Sequence, residues 1–284
     1  MNIIQSFWTK PTVENRWGVA NQLETNVWLC AASCLLAQKN GAKVTMYTDK
    51  QGFEYLKHIP YNDIKVILDE PLQNVPRFFW AAGKFVALKD APIGSVHIDN
   101  DVLLFEEKTV RALNFVEYDV IVQQEECVNS TETIKFYQPH RMGVKFLGHP
   151  KGLNPDYPHA YNVGVIGFNN EELRDAYIDN YFQELEYISR PENSLKVGVL
   201  SANKMLSLDL IFEQTFLHQL ASENGFHVKC LLNKDSIAKD VERLNYRHLL
   251  GGVKYQMLPQ IKELVKEIDN NIYKQLNDLL YESF

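Results

Sequence analysis

The segment Ser95-Val96-His97-Ile98-Asp99-Asn100-Asp101 does most to decide the fold of this chain. A proline and a glycine stand just before it, its first four residues include the apolar Val96 and Ile98, and two carboxylates follow. A short apolar run bounded by such residues is typical of a buried strand. We therefore predict a strand over residues 95–98, with Asp99 and Asp101 at its carboxyl end. In open α/β sheets, ligands bind at this end of the strands.

Strands and helices alternate on the amino-terminal side of this segment. β-rich runs predict strands at residues 2–7, 44–48 and 64–68, and helical patterns predict helices at residues 27–40, 51–58 and 78–89. Such alternation is typical of a parallel sheet covered by helices. A chain of 284 residues, 45% of them hydrophobic, can bury the core of one globular unit.

The pattern changes on the carboxyl-terminal side. We predict an edge or antiparallel strand at residues 119–123, a polar loop at 138–159, strands at 161–168 and 227–231, and helices at 171–189 and 209–223. From Ile261 onward, apolar residues keep helical spacing. The predicted fold class is α/β, with a mostly parallel central sheet flanked by helices, a smaller antiparallel portion and a C-terminal helix. We predict a main domain at residues 1–254, and an amphipathic helix at 255–284 that packs on it or at a dimer contact.

Charge and cysteine content exclude several classes of protein. A formal net charge of -7 without blocks of like charge argues against nucleic-acid binding and against a polybasic membrane surface. The four cysteines form no Cys-x-x-Cys pair, which suits buried thiols in a reducing compartment. Residues 1–10 are too short and polar for a signal peptide, and no stretch of 18 or more apolar residues exists. We expect a cytoplasmic protein without membrane association, and a homodimer stays open.

The pair Asp99 and Asp101 predicts a cation site. Mg²⁺ and Mn²⁺ prefer oxygen ligands and commonly leave part of the coordination shell to substrate phosphates. Two carboxylates separated by one residue point to the same side of an extended chain. The alternative is a simple turn after a core strand, because Asp and Asn favour turns by themselves.

A second motif lies near the other end of the chain, His248-Leu249-Leu250-Gly251-Gly252-Val253-Lys254. An imidazole can bind Mn²⁺, a Gly-Gly turn lets backbone amides approach phosphate oxygens, and an ammonium group neutralises them. Together with the Asp pair, this motif resembles the retaining, metal-dependent glycosyltransferases of the GT-A fold, especially the glycogenin-like and galactosyltransferase group called family 8. The late His-x-x-Gly-x-x-Lys of that family matches position for position, and the resemblance spans roughly residues 2–254.

The resemblance implies an activity and a cofactor. It implies a transferase that moves a sugar from a nucleotide diphosphate sugar to a carbohydrate or other acceptor hydroxyl, with Mn²⁺ or Mg²⁺ bound. By motif, Asp99, Asp101 and His248 become the metal ligands. Lys254 and Gly251 become donor-binding residues at the diphosphate, with Asp99 beside the donor.

A third segment, Tyr161-Asn162-Val163-Gly164-Val165, is similar to the Asn-x-Gly-Val strand of the same family. The resemblance implies that Asn162 and Gly164 lie beside the transferred sugar. The chain also departs from the family, because Tyr255-Gln256 follows Lys254 where the family has Pro-Trp.

The reaction centre of the family carries an Asp-Gln pair, for which the nearest candidates here are Asp209 and Glu213-Gln214. A retaining reaction of this kind needs no strong protein nucleophile. If the reaction inverts instead, Asp209 or Glu213 is expected to act as the general base. The alternative is a surface pair four residues apart on one helix face.

Three further sets of residues are candidates for binding. Thr48 and Asp49 could meet the nucleotide at the edge of the sheet, or form a turn. Lys84 could reach a phosphate or pair with Asp99, or be a solvated helix lysine. Histidines 140, 149 and 159 fall in the predicted loop and could surround the acceptor, or simply be exposed.

Two other functions compete with glycosyl transfer. A sugar nucleotidyltransferase could use the same Asp pair, but residues 5–13 contain no glycine for the expected phosphate loop. A non-catalytic nucleotide or carbohydrate binder could keep the same scaffold. Metal-dependent hydrolysis of a nucleotide sugar would distinguish an enzyme from such a binder.

Overall fold

A computed structural model describes residues 1–14, 21–77, 79–131, 133–148, 152–202 and 207–282. The strands in these residues are β1 (Asn2–Phe7), β2 (Lys43–Thr48), β3 (Asp63–Val66), β4 (Val96–Ile98), β5 (Val102–Leu104), β6 (Val120–Cys127), β7 (His159–Phe168), β8 (Val228–Cys230) and β9 (Tyr246–His248).

The α-helices are mostly short and lie between the strands or after them. They are α1 (Thr9–Val13), α2 (Gln22–Lys39), α3 (Lys50–Leu56), α4 (Asp69–Leu72), α5 (Ala82–Asp90), α6 (Glu107–Ala112), α7 (Ile134–Leu147), α8 (Glu171–Ile188), α9 (Ser194–Ala202), α10 (Phe216–Glu223), α11 (Ile237–Leu244), α12 (Val253–Gln256), α13 (Leu258–Ile268) and α14 (Asn270–Glu282). A 3₁₀ turn, Pro191–Asn193, precedes α9, and a π-helical turn, Leu210–Thr215, runs directly into α10.

The central sheet has seven strands in the order β3-β2-β1-β4-β7-β6-β8 within the described residues. β7 pairs antiparallel with both of its neighbours, and every other pair in this sheet is parallel. A second, smaller sheet pairs β5 with β9 antiparallel. The predicted fold class, a mostly parallel sheet with a smaller antiparallel portion, is therefore confirmed.

Helices cover both faces of the sheet, which explains why β1, β2 and β4 are buried on both sides. On one face α2 is buried through most of its length, because it lies between the sheet and α13. A helix that is apolar all round suits this middle position. The opposite face is covered by α5, α8 and α10. None of the helices in the described part of the chain is long and apolar enough to cross a membrane.

The predicted carboxyl-terminal helix is divided in the described residues, where α13 and α14 are separated at Asp269. Asp269 adopts an extended conformation after α13, and its Oδ1 accepts hydrogen bonds from the backbone N–H groups of Asn271 and Ile272. An Asp side chain in this position caps the start of the next helix. Ile261 and Leu276 are buried in the same core as α2. A domain boundary at residues 254 and 255 stays a prediction.

The predicted polar loop at residues 138–159 is wrong over its first half, where the chain forms α7. Tyr137, His140, Val144 and Leu147 are buried at helical spacing along α7, and this packing outweighs the helix-breaking tendency of Pro139. His140 therefore lies in a helix, where its Nδ1 accepts a hydrogen bond from the backbone N–H of Ser207 at 3.1 Å. His149 lies outside the described residues. The predicted helix at residues 78–89 is observed from Ala82 to Asp90, and Phe78 is also outside the described residues.

Candidate functional site

The carboxyl end of β4 is both a turn and a cluster of polar groups. The backbone N–H of Asp99 donates to Gly164 O at 2.9 Å, which continues the pairing with β7, and Val102 N–H donates to Asp99 O at 2.9 Å to close the turn. The amide of Asn100 donates to Ser6 O at 2.8 Å and ties the turn to β1. Asn100 thus holds the turn while Asp99 and Asp101 stay available for other contacts.

The β5–β9 ladder brings the late motif to this turn. His248 pairs with Val102 in the ladder, and Leu249 N–H donates to Asp101 O at 3.0 Å. As a result, one ligand atom from each of Asp99, Asp101 and His248 lies within 4.8 Å of the other two. His248 Nε2 is 3.3 Å from Asp101 Oδ1. Segments almost 150 residues apart in the chain therefore converge at one point.

The imidazole of His248 is oriented by a side chain on β6. Gln123 Oε1 accepts a hydrogen bond from the hydroxyl of Tyr246 at 2.6 Å and lies 2.8 Å from His248 Nδ1. Because this oxygen is an acceptor, Nδ1 carries a proton and donates to it, and Nε2 is the ring nitrogen that faces Asp101. Fixing the tautomer by a bond to the opposite ring nitrogen is typical of histidines that bind metals.

Gly164 on β7 makes room for that imidazole. A Cβ at residue 164 would lie 2.4 Å from His248 Cε1 and 2.6 Å from His248 Nδ1, well inside the contact distance of two carbon atoms. The N–H of Gly164 donates to Asn162 Oδ1 at 3.1 Å, and Asn162 Nδ2 donates to Glu126 Oε1 at 3.3 Å. The structure thus places Asn162 and Gly164 beside the cluster, and their contact with a donor sugar stays a prediction.

Lys84 on α5 is a buried ammonium group behind the acidic pair. Its Nζ lies 2.8 Å from Asp99 Oδ1 and 2.7 Å from Glu213 Oε1, and it donates to Val163 O at 3.1 Å. Burial by itself lowers the pKa of a lysine, but the charges of Asp99 and Glu213 outweigh it and raise the pKa of Lys84. Lys84 is therefore charged, and it is not the solvated helix lysine of the alternative interpretation.

Lys254 contacts the other carboxylate of the pair. Its Nζ lies 2.9 Å from Asp101 Oδ2. Burial would raise the pKa of Asp101, but Lys254 and His248 outweigh it and lower the pKa. The same pairing raises the pKa of Lys254 against the effect of burial. Gly251 reaches the turn before Lys254 with a φ of +58°, a conformation that glycine adopts without strain.

Glu213 and Asp209 have different surroundings, although they lie four residues apart. The π-helical turn aims Glu213 at Lys84, and both residues are buried. Burial raises the pKa of Glu213 against the opposing charge of Lys84. Asp209 instead accepts a hydrogen bond from the N–H of Ala81 at 3.0 Å and one from the hydroxyl of Tyr181 at 2.8 Å. Both carboxylates are fully buried, so the surface-pair interpretation is wrong.

Thr48 and Asp49 lie at the carboxyl end of β2, as predicted, but their side chains are engaged. Thr48 is buried and donates to Phe7 O at 2.7 Å. Asp49 accepts hydrogen bonds from Gly52 N–H at 2.7 Å and Thr9 N–H at 2.9 Å. A cavity of about 420 Å³ opens beside Asp49, with a lining that also includes Trp8 and Lys10. Contact of Thr48 or Asp49 with a nucleotide stays a prediction.

A family comparison covers all of this sequence, since one family model matches residues 1–284. The chain belongs to DUF6734. The description of DUF6734 is "Family of unknown function". Curated proteins include no significant match to this DUF6734 chain.

Solved structures similar to the DUF6734 chain include several glycosyltransferases. The galactosyltransferase LgtC in complex with donor and acceptor sugar analogs shares 12% identity and a TM-score of 0.47, over 95% of this chain and 96% of its own. The inositol-1-phosphate CTP transferase of T. maritima shares 13% identity and a TM-score of 0.43, over 92% and 96%. Mouse xyloside xylosyltransferase 1 shares 14% identity and a TM-score of 0.38, over 89% of this chain and 96% of its own. With TM-scores below 0.5, these structures assign no activity to the chain.

Two residues of the DUF6734 site were missed by sequence reasoning. Gln123 and Tyr246 together orient His248, yet neither belongs to a recognised motif. The available signal was a polar residue directly after the apolar run Val120-Ile121-Val122, because a buried amide must find hydrogen-bond partners. Which partners it finds depends on the β5–β9 ladder, which the sequence pattern did not predict.

Proposed function

We propose that this protein is a divalent-cation-dependent glycosyltransferase with a GT-A-like domain, which moves a sugar from a nucleotide diphosphate sugar to an acceptor hydroxyl. One observation carries the proposal: the ligand atoms of Asp99, Asp101 and His248 converge within 4.8 Å. The late motif that resembles family 8 supplies the imidazole, and it supplies Lys254 at 2.9 Å from Asp101. A site for a metal ion and a diphosphate requires metal ligands and a positive charge of this kind close together.

The side chains present fit a Mn²⁺ or Mg²⁺ ion. Two carboxylates offer hard oxygen ligands, and one imidazole nitrogen suits Mn²⁺ especially. Gln123 fixes Nδ1 of His248, so Nε2 is the nitrogen left for an ion. Three protein ligands leave coordination positions for the phosphate oxygens of a donor. When bound, the cation would act as a Lewis acid and stabilise the negative charge that develops on the leaving diphosphate.

Lys254 and Lys84 have different electrostatic roles in this proposal. Lys254 neutralises Asp101 in the free protein, and a short movement of its flexible side chain would bring its ammonium group to a diphosphate oxygen. Lys84 is buried between Asp99 and Glu213, where it holds the Asp99 carboxylate in place. Charge that develops on the leaving group then meets positive groups in a partly buried site, which favours the transition state over the ground state.

Glu213 is the better placed of the two proposed catalytic carboxylates. It contacts Lys84, which itself contacts Asp99, whereas Asp209 bonds to Ala81 and Tyr181. We propose retention of configuration on the resemblance to family 8, with Glu213 beside the reaction centre. Asp209 then serves by fixing the start of α5 and so the position of Lys84.

We also propose a cellular location, an acceptor class and a donor class. All four cysteines are free, which suits a reducing compartment, and we propose a cytoplasmic location. The acceptor is a carbohydrate or another hydroxyl compound. The donor is a nucleotide diphosphate sugar, and a hexose is the sugar type that the resemblance favours.

A thermal-shift panel of nucleotide diphosphate sugars, each with and without MnCl₂, tests the function. A ligand at about 100 times its dissociation constant stabilises the folded state by about 2.7 kcal/mol, and we expect this gain only with donor and Mn²⁺ together. Asp101→Asn is expected to abolish the gain, since it removes a ligand charge without changing size. The matched control is Asp175→Asn, at a half-exposed carboxylate on α8.

The same protein is then assayed for slow hydrolysis of the stabilising donor in water, which distinguishes an enzyme from a binder. An Asp101→Asn protein that responds to donor and Mn²⁺ like wild type would contradict the proposed site. Stabilisation without metal-dependent hydrolysis or transfer would contradict the proposed activity.

A further inference from the structure

A second group of metal-ligand side chains lies away from the Asp99–Asp101–His248 site. It comprises Glu125 on β6, His159 at the start of β7 and His218 on α10. Glu125 Oε1 lies 3.3 Å from His159 Nδ1 and 3.6 Å from His218 Nε2. The three ligand atoms all lie within 4.8 Å of one another.

Regular secondary structure fixes this convergence. Glu125 pairs with Tyr161 in the β6–β7 ladder, and His159, two residues before Tyr161, lies diagonally opposite on the same face. The ring of His218 packs over this face, with centroids 4.3 Å from Tyr161 and 5.1 Å from His159. Ligands on strands and a helix keep their positions better than ligands on loops.

Both imidazoles present one nitrogen to the same carboxylate oxygen. His218 is 7% exposed, and its Nδ1 lies 3.1 Å from the hydroxyl of Ser222, which leaves Nε2 facing Glu125. His159 Nδ1 is itself buried and makes no hydrogen bond with any residue that the structure describes. Glu125 Oε1 is near this nitrogen but forms no hydrogen bond with it, and a buried ring nitrogen without a hydrogen bond is costly unless something occupies the space in front of it.

The spacing of these atoms fits a zinc ion. Zinc binds imidazole nitrogen and carboxylate oxygen at about 2.0–2.2 Å with tetrahedral geometry, which places neighbouring ligand atoms roughly 3.3–3.6 Å apart. The two observed separations from Glu125 Oε1 are 3.3 and 3.6 Å. The two imidazole nitrogens lie within 4.8 Å of each other, and their approach to a similar separation would complete one face of a tetrahedron.

We propose that Glu125, His159 and His218 bind a transition-metal ion, with Zn²⁺ as the best fit, at a second site of this protein. The donor set of two imidazoles and one carboxylate is softer than the acidic pair of the first site, and so favours a different cation. The site does not depend on the proposed glycosyl transfer. Bound metal would join α10 to β6 and β7, close to the strand position of Gln123.

Lys234 determines how Glu125 can bind. Its Nζ lies 3.0 Å from Glu125 Oε2, so Oε1 is the oxygen left for the ion and Glu125 binds through that atom alone. The side chain of Lys234 is 54% exposed, and it can turn toward solvent when a cation arrives. Its positive charge nevertheless opposes the cation, which lowers the affinity of the site.

Zinc titration of the 284-residue chain tests the proposal, with the Asp101→Asn background used to weaken the first site. Bound zinc is counted after dialysis against a chelator-buffered ZnCl₂ solution, and Co²⁺ absorption in the visible range reports tetrahedral geometry. We expect one zinc per chain in Asp101→Asn. Adding His159→Gln, at a partly exposed ring, should weaken binding at least ten-fold and remove the tetrahedral Co²⁺ spectrum.

Lys234→Ala is the second variant and changes only an exposed side chain. Removing the competing charge should tighten zinc binding at least three-fold. Circular dichroism verifies that both variants are folded. Absence of bound zinc in the Asp101→Asn protein would overturn the proposal, as would zinc binding that neither His159→Gln nor Lys234→Ala changes.

Discussion

Two polar regions of this molecule differ in whether their carboxyl groups have charged partners. Around β4, the buried Glu213 and the partly buried Asp pair have charged partners, because Lys84 contacts Asp99 and Glu213 and Lys254 contacts Asp101. Beside α10, the buried carboxyl group of Glu184 on α8 lacks such a partner, and its Oε2 makes no hydrogen bond within the described part of the chain. In the first region, ion pairs neutralise the charges before any ligand binds. In the second region, no ion pair among the described residues offsets the free-energy cost of burying Glu184.

Of the changes that test this contrast, removal of Lys84 should have the largest effect on the free energy of unfolding. Lys84→Met leaves the buried carboxylate of Glu213 without its ammonium partner, and loss of one partner of a buried pair costs about 3–5 kcal/mol. We expect that decrease in the free energy of unfolding measured with urea. The double variant Lys84→Met with Glu213→Gln should recover part of it.

The control for this experiment is Lys57→Met, at an exposed pair with Glu54, which should change stability by less than about 0.5 kcal/mol. If Lys84→Met is as mild as Lys57→Met, the charges around β4 are not paired in the way described here.

The contribution of Glu184 to stability should depend on pH, because this buried carboxyl group has no charged partner in the residues that the structure describes. Burial raises the pKa of Glu184 from 4.5 to about 8, so the folded protein holds a proton that the unfolded chain releases. The stability that protonated Glu184 provides is complete below pH 4.5 and is lost as the pH rises to about 8. Glu184→Gln removes this titration, and its advantage over wild type should grow to a few kcal/mol at alkaline pH.

Urea unfolding of both proteins at a series of pH values from 4 to 9 measures the difference. A stability difference that stays constant over this range would show that Glu184 is ionised in the folded protein, and the contrast between the two regions would then disappear.

Gly164→Ala should have the smallest effect on stability but a specific one on the first site. The new Cβ would overlap the imidazole of His248, and the ring must move away from Gln123 and Asp101. Overpacking of this kind costs about 1–3 kcal/mol. The Mn²⁺-dependent thermal shift should be lost as well.

Gly198→Ala is the matched control, since a Cβ there meets no atom within 4 Å and the residue lies in a helix. It should stabilise the protein by up to about 1 kcal/mol and leave the Mn²⁺ response unchanged. Equal metal responses in the two variants would mean that the position of His248 is unimportant.

Much of the fold was predictable because its signals are local. The apolar runs of β1 and β2, the buried pattern of α2 and the strand that ends at Asp99 all come from short stretches of sequence. The approach of His248 to the Asp pair was also predicted, through a motif resemblance. The helix α7 was missed because Pro139 and its polar neighbours resemble a loop, whereas the four buried residues at helical spacing depend on tertiary packing.

Contacts between distant segments account for the rest. Gln123 acquires its role only when β9 lies beside β5, and the sequence of either strand alone is too short to predict that pairing. His159 was placed in a loop near an acceptor, whereas it begins β7 and faces Glu125. His218 gave no signal at all in the sequence, because Tyr161 and His159 on β7 approach it only through the packing of α10 on the sheet.

The pairing of β5 with β9 has a consequence for biosynthesis. A ribosome-bound chain that has emerged only as far as Asn245 already contains the whole central sheet with its two acidic side chains, but it lacks the strand that delivers the imidazole. Any cation that needs the imidazole of His248 as a ligand can therefore be held fully only after β9 has emerged and paired with β5.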